Sequence, residues 1–134
     1  MDILTPEQRS ERMRRVRQRH TKPELIVRKL LHANGFRYRL NDPRLPGRPD
    51  IVFPGRRKVV FVHGCFWHQH VGCRAGKVPA TRQDFWLPKF DANRGRDRRN
   101  VEALEELGWS ALVVWECETR DLPTLLAKLI DFLG

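Results

Sequence analysis

Pro49-Asp50-Ile51-Val52-Phe53-Pro54-Gly55-Arg56-Arg57-Lys58-Val59-Val60-Phe61-Val62 is the stretch that organises this chain. Ile51–Phe53 and Lys58–Val62 flank a Pro54-Gly55 turn, a pattern that predicts a hairpin of buried strands. Upstream, Asn41 to Pro49 carries three prolines and one glycine and reads as a loop delivering Asp50 to the first of these strands. Phe36-Arg37-Tyr38-Arg39-Leu40 alternates apolar and basic residues, as a half-exposed strand does. Before it, Thr21-Lys22-Pro23-Glu24 reads as a capping box with Thr21 as N-cap and Glu24 at N3. The helix it opens should place Ile26, Leu30 and Ala33 on one face and stop at Gly35.

Downstream, periodicity vanishes from Gly64 to Arg82. A loop of that length in a small domain needs a function or a metal to hold it. Helical signal returns at Val101, Leu104 and Leu107 ahead of Gly108, followed by Ala111–Trp115, an apolar run expected to be a strand buried on both faces. A last helix should open at Asp121 and bury Leu122, Leu125, Leu129 and Leu133. The order is helix, three strands, helix, strand, helix, which a mixed α/β sheet flanked by helices satisfies. At 134 residues the chain is expected to form one domain over 1–134. Pro6 to Arg19 is helix-compatible but so basic that it reads as an N-terminal arm or surface helix at about 1–20, ordering on its partner.

Lys and Arg number 26 against 16 Asp and Glu, a net charge of +10, so a polyanion is the first partner to expect. The competing explanation is a solvated arginine-rich face. No apolar run approaches the roughly 20 residues that cross a bilayer, and Met1–Pro6 does not open a secretion signal, so a cytoplasmic protein with no membrane partner is expected. Three cysteines in a reducing compartment argue against a disulfide framework and leave metal ligation or burial.

Residues 50–73 concentrate one aspartate, three histidines and two cysteines. Cys65, His70 and Cys73 follow C-x4-H-x2-C, with Cys117 arriving from the end of the last strand. Four such donors suit a closed, structural Zn2+ site; otherwise these cysteines are small buried hydrophobes. Asp50, at a strand start, suits a hard Mg2+ ion as well as it suits a turn after Pro49. His63 and His68 could transfer a proton or polarise a phosphate, or serve as zinc ligands or exposed surface. Phe66 and Trp67 read as wedges that enter a DNA base stack, or as packing for the zinc loop. Met13 and Trp86 are further apolar candidates for base contacts. Glu24 is already explained by the capping box.

Jointly, Leu45-Pro46-Gly47-Arg48-Pro49-Asp50, His63-Gly64-Cys65-Phe66-Trp67-His68, Lys77 to Arg82, Arg96 to Arg99, Glu106 to Trp109 and Val114-Trp115-Glu116-Cys117 resemble the very short patch repair (Vsr) endonucleases, a branch of the PD-(D/E)xK nuclease superfamily. The resemblance implies a restriction-endonuclease-like αβββαβ core with a zinc-stabilised loop. It also implies an enzyme that nicks one strand 5′ to the thymine of a T:G mismatch left by 5-methylcytosine deamination. By position, Asp50 resembles the Mg2+-binding aspartate, with Val62 offering its backbone carbonyl to the same ion. His63 stands where relatives in the superfamily carry lysine. His68 resembles the residue that activates water, Glu24 the acid holding metal-bound water, and Asp97 an acidic partner in that network. Met13, Phe66 and Trp67 resemble the intercalating wedge, Trp86 a further DNA-contacting aromatic, and Cys65, His70, Cys73 and Cys117 the zinc ligands. The partner implied is double-stranded DNA with a T:G mismatch, with a mismatch-repair protein a candidate recruiter; a single-strand nick requires only a monomer. Val71-Gly72 makes the His70 to Cys73 interval one residue longer than the family's best-known pattern, so the zinc loop should differ locally. Two rivals stand beside this reading: a nuclease of the superfamily with another DNA target, and a non-catalytic, zinc-stabilised DNA-binding protein.

Overall fold

A computed structural model describes residues 21–73 and 78–134. Met13 and the basic arm at 1–20 lie outside the described residues. The elements run α1 (Lys22–Ala33), β1 (Arg39–Leu40), β2 (Ile51–Phe53), β3 (Lys58–His63), α2 (Gln83–Glu106), β4 (Ser110–Trp115) and α3 (Leu122–Leu133). This is the expected αβββαβ order with a closing helix. The sheet order is β1-β2-β3-β4; β1/β2 and β2/β3 are antiparallel, and β3/β4 is parallel, as the long α2 crossover requires.

Alternation along the strands sorts the core into two layers. Ile51, Phe53, Val60 and Val114 pack against Val27 and Leu31 of α1 and Leu125, Leu129 and Leu133 of α3. Val52, Val59 and Phe61 pack on the other face with Leu104 of α2, supported by Val101, Ala111 and Val113. The central hairpin is buried on both faces because helices cover both.

Several boundaries differ from the pattern-based expectation. Helix α1 buries Glu24, Val27, Arg28 and Leu31, while Ala33 is exposed, so the buried face is turned by one residue from Ile26, Leu30 and Ala33. The capping box is half formed: Thr21 Oγ1 accepts from the Glu24 N–H at 3.4 Å, but the Glu24 carboxylate is buried and pairs with Arg28. The first strand is only two residues long, because Phe36 and Tyr38 instead set their rings edge-on to Phe53. Helix α2 starts far earlier than its apolar signal. Of its 24 residues only Phe90 and Leu104 are buried, and Pro88 interrupts the pattern, so periodicity could not reveal it. Its end is well marked: Gly108 at φ +87 lets the Trp109 N–H reach the Leu104 carbonyl and the Gly108 N–H reach that of Glu105. Strand β4 has apolar neighbours on both faces, yet only Val114 is fully buried, because β4 is an edge strand. Leu122 is exposed at the start of α3; Asp121 caps that helix by accepting from the Thr124 N–H at 3.3 Å.

Candidate active site and metal centre

Three elements converge at the carboxyl end of β3. The loop after Asn41 is pinned to α2 where Gly47, at φ +77, lies so close to Asn100 that a Cβ would meet that side chain at 2.8 Å. Asp50 follows at the entry to β2. Its Oδ2 accepts from the Val62 N–H at 2.7 Å, which ties the carboxylate to β3. Burial and the neighbouring Glu24 push its carboxyl up to about 7, partly offset by the Val62 N–H. Among the described residues, two largely buried acidic groups that repel each other, offset in part by the Arg28 guanidinium, form an environment that favours a cation.

His63, the last residue of β3, is buried, and its ring lies parallel to that of His68, with centroids 3.8 Å apart and planes 6° apart. Desolvation, reinforced by His68 and opposed by Asp97, lowers its pKa to about 4, so the ring is neutral at physiological pH. Asp97 reaches from α2: its Oδ2 lies 2.6 Å from His68 Nδ1 and 4.0 Å from His63 Nδ1. The carboxylate at Nδ1 fixes the orientation of the ring and turns Nε2 away from Asp97. His63, His68 and Asp97 open onto a cleft of about 710 Å3 bounded by Phe61, Val101 and Val113 and edged by Arg94 and Arg98.

Among the described residues, a second group of metal-capable side chains lies beside the first: Cys65, His70, Cys73 and Cys117, with ligand atoms all within 4.8 Å of one another. Cys65 Sγ is 3.7 Å and Cys117 Sγ 3.4 Å from His70 Nδ1. Tetrahedral Zn–S and Zn–N bonds place donor atoms roughly 3.5–3.8 Å apart, so this donor set fits zinc. Burial pushes the Cys65 thiol up to about 12 and raises that of Cys117; a bound cation reverses that preference by ionising both. The longer interval is absorbed as an exposed turn, with Gly72 at φ +79 and the Cys73 N–H returning to the His70 carbonyl at 3.3 Å.

The structure brings Phe66, Trp67 and Trp86 together. Phe66 lies 5.0 Å from Trp67 and 5.3 Å from Trp86, and Trp86 stacks on Phe90 at 5.7 Å. Phe66 and Trp67 are half-buried against the start of α2 rather than free-standing.

A sequence model described as DNA mismatch endonuclease Vsr matches residues 1–74. The chain is 54% identical over 132 residues to the type II nicking enzyme V.XorIIP of Xanthomonas oryzae pv. oryzae, covering 98% of this chain and 96% of that protein. It is 48% identical over 119 residues to the DNA mismatch endonuclease Vsr of Escherichia coli, covering 89% and 76% respectively. It is also 48% identical over 120 residues to the type II nicking enzyme V.NmeAIP of Neisseria meningitidis, covering 90% and 85%. The chain belongs to the Vsr family. As a Vsr-family protein it has a restriction-endonuclease-like α/β core, and no described helix is long and apolar enough to cross a membrane.

Sequence inspection missed four residues that shape this Vsr-family site. Buried Gln69, at φ +51, donates through Nε2 to the Phe66 carbonyl at 2.6 Å, and Asn93 donates to the Trp67 carbonyl at 2.9 Å. Phe85 and Phe90 complete the aromatic cluster. A single amide carries no motif; the two phenylalanines would have stood out had the start of α2 been recognised.

Proposed function

We propose that this protein is a Mg2+-dependent DNA endonuclease that nicks one strand 5′ to the thymine of a T:G mismatch arising from 5-methylcytosine deamination, the first step of very short patch repair. The observation that carries the reading is the Asp97–His68 pair at 2.6 Å, stacked on His63 at the mouth of an arginine-edged cleft, in a chain of the Vsr family. Mg2+, held by Asp50 and the Val62 carbonyl with Glu24 nearby, would supply Lewis-acid polarisation of the scissile phosphate. Asp97 holds the His68 ring so that Nε2 takes the proton from the attacking water. His63, being neutral, contributes an N–H to a phosphate oxygen rather than a full charge. The strand leaves a 5′-phosphate and a 3′-hydroxyl.

Phe66 and Trp67, with Met13 from the amino-terminal segment and Trp86 as a further DNA contact, would enter the base stack at the lesion, where a mismatch lowers the few kcal/mol needed to open a step. Asn93 and Gln69 hold the backbone that presents them. Zn2+ at Cys65, His70, Cys73 and Cys117 would fix the loop as a structural ion. The setting is the bacterial cytoplasm at the nucleoid; the protein acts as a monomer in one domain, with a mismatch-repair protein as a candidate recruiter.

Strand-specific nicking of matched T:A and mismatched T:G duplexes, over a panel of flanking sequences with and without Mg2+, tests the proposal. Mg2+-dependent cutting confined to the thymine strand of T:G is expected. Equal cutting of matched duplex would move the protein to another DNA target, and binding without cutting would make it a DNA-binding protein only.

A further inference from the structure

We infer that Trp115 is a positioning residue that transmits the geometry of the cysteine–histidine cluster to His63. Trp115 ends β4 directly opposite His63 in the parallel ladder. Its indole stacks on the His70 ring at 4.2 Å and 8°, and the His63 ring meets it edge-on at 5.4 Å and 78°. His63 in turn stacks on His68. Four rings, His70, Trp115, His63 and His68, therefore run in unbroken contact from a candidate metal ligand to the candidate base.

The backbone carrying the indole is fixed as firmly as the rings. The Trp115 N–H donates to Glu118 Oε1 at 2.9 Å, and Lys128 Nζ grips both oxygens of Glu118, at 2.8 and 2.9 Å, while donating to the Val113 carbonyl at 3.0 Å. Two residues beyond Trp115, Cys117 joins the cluster, and its N–H donates to Cys65 Sγ at 3.4 Å. Cluster and indole thus share one short, tied segment. A filled four-donor site holds His70 at a set place, and close-packed rings pass a displacement on rather than absorb it. Only a wide flat side chain can offer a face to His70 and still reach the edge of His63; a phenyl spans less, and leucine has no face at all.

The kinetic part of the test rests on the endonuclease reading, so it is paired with one that needs no substrate. In zinc-loaded protein, the imidazole 15N resonances of His63 and His68, which report tautomer and Nδ1 hydrogen bonding rather than the loss of the indole's ring current, are followed by NMR beside metal content and single-site nicking. Trp115→Phe is expected to keep its zinc, shift both sets of resonances part-way and lower kcat a few-fold. Trp115→Leu is expected to keep its zinc, shift them further and lower kcat about 10- to 100-fold, with KM nearly unchanged, as misplacement of a catalytic group does. Unmoved resonances and full kcat in Trp115→Phe would overturn the inference, even if Trp115→Leu proved too unstable to study. Loss of zinc in a folded Trp115→Leu would also overturn it, because the indole would then be supporting the cluster alone. A wild-type protein that nicks no duplex would refute the endonuclease reading and leave the resonance test to decide this one.

Discussion

Residues 63 to 70 feed two clusters that could hardly differ more in what they ask of the fold. His63 and His68 join Asp97 at an open cleft, whereas Cys65 and His70 join Cys73 and Cys117 in a set of four donors that needs nothing further. The first cluster holds one imidazole against a carboxylate and keeps the neighbouring ring neutral; the second would be complete only when a bound metal displaces its thiol protons. Nearby residues of one loop can therefore serve reaction and architecture at once, because the His68 N–H bond to the Gly64 carbonyl and the left-handed Gln69 turn the chain between them. If that division is right, damage on the two sides should be separable.

The sharpest attempt to break it is Asp50→Ala, which removes the carboxylate proposed to hold Mg2+. Nicking should fall by at least about 1,000-fold while mismatch binding and zinc content stay near wild type. Retained cleavage would take Asp50 out of the mechanism. Next in size, His68→Ala should lower kcat about 100- to 10,000-fold through loss of the base. Asp97→Asn should lower it only about 10- to 100-fold, since the ring remains and only its orientation and tautomer suffer. An Asp97 effect larger than that of His68 would mean that the carboxylate itself meets the substrate or metal.

The two clusters were not equally legible. The cysteine set could be read from spacing, because thiolate and imidazole donors are few in this chain and the irregular loop had no other source of order. The hairpin and the last helix could be read from apolar runs and the Asp121 cap. Asp50, His63 and His68 were individually ambiguous; the family's stretches gave them and Asp97 roles, and the fold sets Asp97, 29 positions from His68, at 2.6 Å from its Nδ1. The start of α2 was invisible because an arginine-rich helix with two buried residues has no apolar face to detect. Glu24 was legible only through the resemblance, because a local capping pattern already accounted for a residue whose carboxylate pairs with Arg28 and helps to raise the pKa of Asp50.

On the architectural side, Cys117→Ser should lower metal content and stability together, by roughly the 2–5 kcal/mol typical of losing a covalent or metal tie in a small domain. Thermal melts beside zinc stoichiometry would check it, and unchanged stoichiometry would end the four-ligand assignment. Because burial keeps the free thiols protonated, zinc uptake by the metal-free protein should release protons into a weakly buffered solution.

The smallest effect is also the most discriminating, because it opposes stability to function at one residue. Asp50 has its pKa raised from 3.8 to about 7, so the folded chain holds a proton there that the unfolded chain has already released. The stabilisation this brings is full below about pH 4 and is lost as pH rises through 7. His63 runs the other way: its pKa is lowered from 6.5 to about 4, so its contribution is present above 6.5 and lost as pH falls towards 4. A wild-type melting curve mixes the two, but the difference between wild type and Asp50→Asn cancels His63. Without Mg2+, and with zinc in place, Asp50→Asn should be the more stable protein at pH 8, by on the order of 1–3 kcal/mol, and the gap should close below about pH 4. Adding Mg2+ should narrow the gap at pH 8 by stabilising only the wild type. A variant that is less stable at pH 8 would mean that the carboxylate is already satisfied by Val62 and Arg28, and that the fold keeps no charge in reserve for a metal.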